Sequence, residues 1–204
     1  MQCPELNFGN GMANASIGRF IVITGPMFSG KTSRLIEFLE REQFAGRKII
    51  LFKPKIDRRY SRLNVSTHKG ITLPATVVPV DKRSLLDMKK LADSANVIGV
   101  DELQFWNNDS GVVEMLESMA DNGKKVYVAT LNRDHMGKPF ENTVKALSVA
   151  DEIHFLNAVC VKCGADATFS QRIIQGKESF GKRIMVGGKE SYEPRCRRCF
   201  VWPK

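Results

Sequence analysis

The sequence predicts an α/β fold, with a mostly parallel sheet flanked by helices and a smaller domain after it. Short Val- and Ile-rich runs alternate with helix-like stretches between residues 19 and 155, a pattern typical of a parallel sheet covered by helices. After Asn157 this pattern ends, and paired cysteines, glycines and basic residues follow. We therefore expect a flexible tail over residues 1–18, an α/β domain over residues 19–157 and a small domain over residues 158–204.

Each element of the predicted sheet has its own local signal. The strands are short apolar runs bounded by glycine, proline or charged residues, and they lie at residues 20–24, 48–52, 97–100, 125–129 and 153–156. The helices between them are predicted over residues 33–46, 84–93, 109–122 and 143–150. Gly46 and Gly123 stand where the C-termini of helices favour glycine.

Composition excludes some classes of protein. The 204-residue chain is 43% hydrophobic with a formal net charge of +9, and it contains no apolar run of about 18 residues that would span a membrane. Residues 1–18 are polar and lack the layout of a secretory signal, so we expect the protein in the cytoplasm. The positive charge suits nucleic acid or polyanionic nucleotides as partners, but the basic residues are spread along the chain rather than gathered in one stripe.

A phosphate-binding loop is the strongest motif. Residues 25–32 read Gly-Pro-Met-Phe-Ser-Gly-Lys-Thr, between a predicted strand and a predicted helix, as the motif requires. Gly25 and Gly30 let backbone N–H groups point at phosphate oxygens. Lys31 supplies a cation for the β- and γ-phosphates, and Thr32 offers a hydroxyl to Mg²⁺. A glycine-rich turn that matches by chance is the alternative, and the flanking strand and helix disfavour it.

Two adjacent carboxylates follow the strand at residues 97–100. Asp101 stands where P-loop proteins keep the acidic residue that holds Mg²⁺, directly or through water. Glu102 is then free to act as a base, either on an acceptor hydroxyl in phosphoryl transfer or on water in an ATPase. The order of residues does not separate these two uses.

Four of the five cysteines form two Cys-x-x-Cys pairs, Cys160 with Cys163 and Cys196 with Cys199. In a chain without a secretory signal, such pairs favour a metal site over disulfides. Four thiolates make the closed tetrahedral site of a structural Zn²⁺. We call the 32-residue loop between the pairs, residues 164–195, the lasso.

Together these motifs resemble the cytosolic (type II) thymidine kinase family. The resemblance covers about residues 19–200 and follows the order of the phosphate loop, residues 57–61, 101–105 and 138–140, both cysteine pairs, residues 186–188 and Tyr192. It implies a RecA-like P-loop fold with a zinc-ribbon domain bearing the lasso. It also implies an ATP:thymidine 5′-phosphotransferase that accepts deoxyuridine, with ATP and Mg²⁺ at the donor site and a structural Zn²⁺.

The resemblance assigns a role to each matching residue. It implies that Glu102 is the general base, that Asp57 bonds the sugar and that Arg59 stabilises the phosphates. The implied ATP and Mg²⁺ site comprises Gly25, Pro26, Met27, Phe28, Ser29, Gly30, Lys31, Thr32, Arg59, Asp101 and Gln104. The implied nucleoside site comprises Met27, Asp57, Phe105, Leu131, His135, Phe140, Ser170, Arg172, Met185, Val186, Gly187 and Tyr192.

The chain departs from the family pattern at two positions. His135 stands where the family often has Phe, and Asn132 where it often has Asp. His135 then either stacks flat against the base or lies out in solvent. The resemblance further implies a homotetramer inhibited by dTTP, with no membrane and no direct nucleic-acid binding.

Two other functions stay open at this point. A nucleic-acid-stimulated P-loop ATPase with a zinc ribbon is compatible with the phosphate loop, the acidic strand end, the cysteine pairs and the positive charge. The ribbon lacks the interleaved aromatic residues that stack on bases, which disfavours this function. A kinase for another nucleoside, such as deoxyguanosine, would differ only in the details of the pocket.

Overall fold

The computed structural model describes residues 17–56, 64–66, 72–183, 185, 187–188 and 190–203. Within these residues the strands are β1 (Arg19–Gly25), β2 (Ile49–Pro54), β3 (Asn64–Ser66), β4 (Thr72–Pro74), β5 (Thr76–Val78), β6 (Val97–Val100), β7 (Lys125–Leu131), β8 (Glu152–Phe155), β9 (Ala158–Val159), β10 (Asp166–Ala167), β11 (Phe169–Ile174), β12 (Lys177–Glu178) and β13 (Tyr192–Arg195). The helices are α1 (Lys31–Phe44), α2 (Ser84–Ala92), α3 (Val112–Asp121) and α4 (Glu141–Ser148), and Leu103–Phe105 forms a 3-10 turn. No helix in these ranges is both long enough and apolar enough to cross a bilayer.

A six-stranded parallel sheet forms the centre of the molecule, in the order β5-β2-β6-β7-β1-β8. This confirms the predicted mostly parallel sheet. Strand β1, which leads into the phosphate loop, lies between β7 and β8, and β7 pairs with β6 on its other side. Because the carboxyl ends of parallel strands meet at one edge of a sheet, the loops after β1, β6 and β7 lie together.

Alternation of apolar side chains buries both faces of this sheet. On β1, Phe20 shares a hydrophobic core with residues of α2, α3 and α4, while the next residue, Ile21, shares a second core with Leu35 of α1. Successive side chains of a strand point to opposite faces. Helix α1 therefore covers one face and the other three helices cover the other, as the predicted flanking helices require.

The predicted elements of the α/β region are confirmed, with ends that shift by a few residues. Strand β5 and the β3–β4 hairpin were not predicted. Each of these strands has three residues, too few for apolar alternation to give a signal. Strand β5 forms by pairing with β2, and β3 and β4 form by pairing with each other.

The chain after β8 forms small antiparallel sheets. Strand β11 pairs with β12 and β13, and β9 pairs with β10. The turn between β9 and β10 carries the first cysteine pair, and β13 leads directly into the second. The domain limits drawn from the sequence remain a prediction.

Candidate active site

The phosphate loop follows β1 and depends on a glycine where the chain passes close to the end of β8. At Gly25 the backbone has φ 152°, and an added Cβ would lie 2.1 Å from the carbonyl oxygen of Leu156. A substitution there therefore requires backbone to move. Gly30, with φ 86°, ends the loop in the left-handed region and leads into α1, a conformation that glycine adopts without strain.

Side chains within the loop fold back onto the carbonyl of Pro26. Ser29 Oγ donates to it over 2.8 Å and Lys31 Nζ over 2.7 Å. Lys31 is buried despite its charge. Its ammonium group therefore lies inside the curl of the loop, where it can neutralise phosphate charge.

The first carboxylate lies beside the start of α1. Thr32 Oγ1 donates to Asp101 Oδ2 over 3.3 Å, and Asp101 is buried at the carboxyl end of β6. A hydroxyl and a carboxylate are the oxygen donors that Mg²⁺ takes in P-loop proteins. The residues present therefore fit Mg²⁺.

The second carboxylate is held in an unusual backbone conformation. Glu102 has φ 55°, in the left-handed region that non-glycine residues rarely adopt. Gln104 Nε2 donates to Glu102 Oε2, and the Oε1 of the same glutamine accepts from the N–H of Leu131 over 2.9 Å. Strained backbone of this kind costs about 1–3 kcal/mol and occurs often at active sites. Gln104, predicted in the ATP site, is thus buried beneath Glu102 and joins it to the end of β7.

A mainly apolar pocket opens beside these carboxylates. Its cavity has a volume of about 30 Å³, room for one or two water molecules. The pocket brings together nine residues predicted for the nucleoside site: Met27, Phe105, Leu131, His135, Phe140, Ser170, Met185, Gly187 and Tyr192. Three of its other lining residues were not predicted, namely Arg133, Asp134 and Arg183.

The remaining predicted site residues lie elsewhere or cannot be located. Asp57, Arg59 and Val186 lie outside the described residues. Arg172 is fully buried behind the pocket, and it is absent from the described lining. It therefore supports the pocket from behind.

Arg172 holds both Tyr192 and the chain of the lasso. Its Nη2 donates to the hydroxyl of Tyr192 over 3.0 Å, and that hydroxyl donates to the carbonyl of Met185 over 2.8 Å. The same guanidinium donates to the carbonyls of Lys182 and Arg183. One buried cation thus fixes an arc of lasso backbone at the mouth of the pocket.

Arg183 ties that arc to the segment after β7. We call residues 131–141 the wall segment. Arg183 Nε donates to Asp134 Oδ2 over 3.1 Å, and its Nη1 donates to Glu141 Oε1 over 3.0 Å. Asp134 also accepts from backbone N–H groups of its own turn, at Met136 and Lys138. No local spacing connects residues 49 positions apart, so this pairing could not be predicted from a sequence pattern.

His135 is buried in the wall segment, which excludes the solvent position considered from the sequence. Burial lowers the pKa of His135, and the nearby charge of Arg172 lowers it further, against the opposing effects of Asp134 and of the Phe180 and Gly181 backbone. Neither ring nitrogen has a hydrogen-bond partner of normal geometry within the described chain. The imidazole is therefore neutral near pH 7.

Hydrogen bonds connect the phosphate loop and the wall segment to the lasso. The N–H of Met27 donates to Ser170 Oγ over 2.9 Å, between residues 143 positions apart. Asn132 Nδ2 donates to the carbonyl of Thr168 over 3.0 Å. Met27 thus belongs to the phosphate loop and also lines the apolar pocket.

The four cysteines converge on one point. Their sulfur atoms all lie within 4.8 Å of one another, and none forms a disulfide. Burial opposes ionisation of Cys160, but backbone N–H groups of Cys196, Lys162 and Cys163 outweigh it and lower its pKa to about 6. Hydrogen bonds with Cys163 and Cys196 raise the pKa of Cys199 to about 12. Four thiols at this spacing fit a tetrahedral Zn²⁺. The charge of the ion would stabilise all four thiolates, including that of Cys199, whose pKa is raised when no metal is bound.

The strand, loop and helix, with an acidic strand end beside them on a parallel sheet, define a P-loop nucleotide-binding protein that also has a four-cysteine cluster with the spacing of a metal site. A family model described as thymidine kinase matches residues 18–200. The chain belongs to the thymidine kinase family, and at that level it is a kinase, a transferase of phosphoryl groups.

Three relatives extend this finding. The chain is 44% identical over 185 residues to a thymidine kinase of Pyrobaculum aerophilum, covering 90% of this chain and 98% of the relative. It is 47% identical over 186 residues to one from Thermococcus kodakarensis, with coverage of 89% and 93%. It is 42% identical over 189 residues to one from a Rhodothermus species, with coverage of 93% and 84%.

Proposed function

We propose that this chain transfers the γ-phosphoryl group of ATP to the 5′-hydroxyl of thymidine, and also of deoxyuridine, with Glu102 as general base. The observation that carries the proposal is a continuous set of contacts from the phosphate loop to the pocket. Thr32 contacts Asp101, and Gln104 bonds both Glu102 and the backbone of the pocket residue Leu131. Glu102 follows Asp101 directly and so stands between the two binding regions.

The donor site binds ATP through the loop and the N-terminus of α1. Backbone N–H groups of residues 28–32 and the ammonium of Lys31 contact the phosphate oxygens. Mg²⁺ held by Thr32 and Asp101 would supply charge neutralisation on the phosphates. The buried position of Lys31 keeps its charge in a region of low dielectric, where it acts more strongly than in water.

The transfer step needs one proton acceptor. Glu102 accepts the proton of the 5′-hydroxyl as the oxygen attacks the γ-phosphorus. The new O–P bond forms while the bond from the γ-phosphorus to the bridging oxygen breaks, and ADP leaves with that electron pair. The hydrogen bond from Gln104 orients the Glu102 carboxylate toward this position.

The acceptor site reads thymine by shape and by backbone groups. Met27, Leu131, Phe140 and Tyr192 offer apolar surface to the ring. Backbone groups of residues 185–187 pair with its N3–H and carbonyls, whereas the amino group of cytosine would place donors against donors. In the proposed site, Asp57 hydrogen-bonds the sugar and Arg59 stabilises the phosphates. We also propose that the protein is a homotetramer and that dTTP inhibits it.

Replacing Glu102 by Gln tests the base. The amide cannot accept the proton, so we expect thymidine phosphorylation to fall by a factor of about 100 to 10,000. Binding of ATP should change little, because the proposed phosphate contacts come from the loop backbone and Lys31. Glu40→Gln, on the exposed face of α1, is the matched control and should keep full activity. Unchanged turnover in E102Q would contradict the base assignment.

A nucleoside panel with ATP and Mg²⁺ tests the substrate. We expect phosphorylation of thymidine and deoxyuridine, and not of deoxyguanosine. ATP hydrolysis that single-stranded DNA stimulates, without phosphorylation of any nucleoside, would instead support a nucleic-acid-dependent ATPase. Family membership favours the kinase over this alternative.

A further inference from the structure

The pocket is too small for a nucleoside in this conformation. Its cavity measures about 30 Å³, whereas pockets that enclose small molecules usually measure about 300–1,000 Å³. Some part of its lining therefore has to move before a nucleoside enters. The lining comes from four regions: the phosphate loop, the 3-10 turn that ends at Phe105, the wall segment and the lasso.

At the mouth of the pocket the lasso contacts the wall segment through the side chain of Arg183, while Asn132 and Arg133 contact the base of the lasso at Thr168 and Phe169. Arg183 bonds Asp134, the carbonyl of Pro139 and both carboxylate oxygens of Glu141. Its guanidinium also lies 5.0 Å from the ring centroid of Phe140. Moving the lasso away from the wall segment at the mouth of the pocket requires these contacts of Arg183 to break together.

The two carboxylates that contact Arg183 differ in burial. The side chain of Asp134 is fully buried, while that of Glu141 is about half exposed at 49%. A guanidinium presents several donors in one plane and so satisfies both carboxylates at once, which a lysine does not. The carbonyl of Arg183 is meanwhile held by Arg172 on the other side.

We propose that Arg183 is a latch, a positioning residue that holds the lasso against the wall segment and is released whenever a nucleoside enters or leaves the pocket. The inference rests on the proposed function, since the nucleoside is its ligand. The described partners of Arg183 lie in the wall segment and not in the phosphate loop, so we expect the latch to control access to the acceptor site.

A latch has a kinetic signature that ordinary pocket damage lacks. If Arg183 stabilises the closed form equally with and without nucleoside, its loss raises the open fraction of both states by the same factor. Association and dissociation then become faster together, and the equilibrium Kd stays nearly constant. Loss of a direct contact with the ligand would raise the dissociation rate and the Kd while association stayed unchanged.

The test is stopped-flow binding of thymidine, with intrinsic tryptophan fluorescence as the signal. Arg183→Met keeps the apolar stem over Phe140 and removes the hydrogen bonds. We expect both rate constants to rise about tenfold, with Kd changed by less than about threefold. Lys182→Met, on the neighbouring exposed residue, removes the same charge and should leave both rates unchanged.

A second variant covers the case in which R183M does not fold, because it leaves Asp134 without its cation. Glu141→Gln weakens only the exposed arm and should raise both rates about two- to threefold. An unchanged association rate in both variants, or a higher Kd through dissociation alone, would overturn the latch. Failure of the wild-type protein to bind thymidine would instead overturn the proposed function.

Discussion

The phosphate loop and the proposed nucleoside pocket are adjacent, yet the chain builds them in opposite ways. The loop is made from eight consecutive residues, and its internal bonds join residues three and five positions apart. The pocket takes its lining from residues 27 to 192, and the bonds that shape it join residues 49 and 143 positions apart. A site made from consecutive residues keeps its geometry when its own backbone folds. A site built from distant segments also depends on the tertiary contacts between those segments.

Loss of zinc should have the largest effect, and it should lower the affinity for thymidine far more than the affinity for nucleotide. Structural Zn²⁺ contributes about 10–16 kcal/mol of apparent binding free energy in small zinc domains. Its removal should therefore unfold the lasso and the turns that carry the two Cys-x-x-Cys pairs. We expect one Zn²⁺ per chain and, once it is removed, thymidine affinity lower by at least about 100-fold. Nucleotide affinity should fall by at most about tenfold, because the loop makes its main contacts inside the α/β region and loses only the bond from Met27 to Ser170.

The measurement compares metal content and both affinities before and after treatment with a zinc-selective chelator in excess Mg²⁺. Cys163→Ser should reproduce the effect without a chelator, and Cys3→Ser, outside the described residues, is the control for loss of a thiol. Full thymidine affinity in zinc-free protein would contradict the dependence of the pocket on the cysteine site.

Gly25→Ala should break the local region instead. The added methyl group would lie 2.1 Å from a backbone carbonyl oxygen, so we expect a loss of more than about 4 kcal/mol of stability, or a distorted loop that no longer binds nucleotide. Gly30→Ala is the matched control, since its methyl group meets nothing within 4 Å. It should cost only the left-handed strain of about 1–2 kcal/mol. Equal effects in denaturant unfolding would mean that the contact with Leu156 does not limit Gly25.

The same contrast explains what could be predicted from the sequence. Each strand, each helix and the phosphate loop has a signal within a short run of consecutive residues. The parallel sheet was therefore predicted correctly. Nine members of the pocket came from a family resemblance. Arg133, Asp134 and Arg183 were missed because their places depend on the fold of the lasso against the wall segment, which no local pattern encodes.

The smallest effect we expect concerns the bond between the two regions. Ser170→Ala leaves the N–H of Met27 buried without its 2.9 Å partner, which costs about 1–3 kcal/mol of stability. Since Met27 lies in the phosphate loop and also lines the pocket, the affinities for nucleotide and thymidine should both fall, each by at most about tenfold. Ser191→Ala, where the hydroxyl makes only an exposed contact at 3.5 Å, should change neither. If only thymidine affinity falls in S170A, the loop tolerates an unpaired N–H and the two regions fold independently. If both fall together, a lasso-side hydroxyl positions the phosphate loop, and the local site is less self-sufficient than its sequence motif indicates.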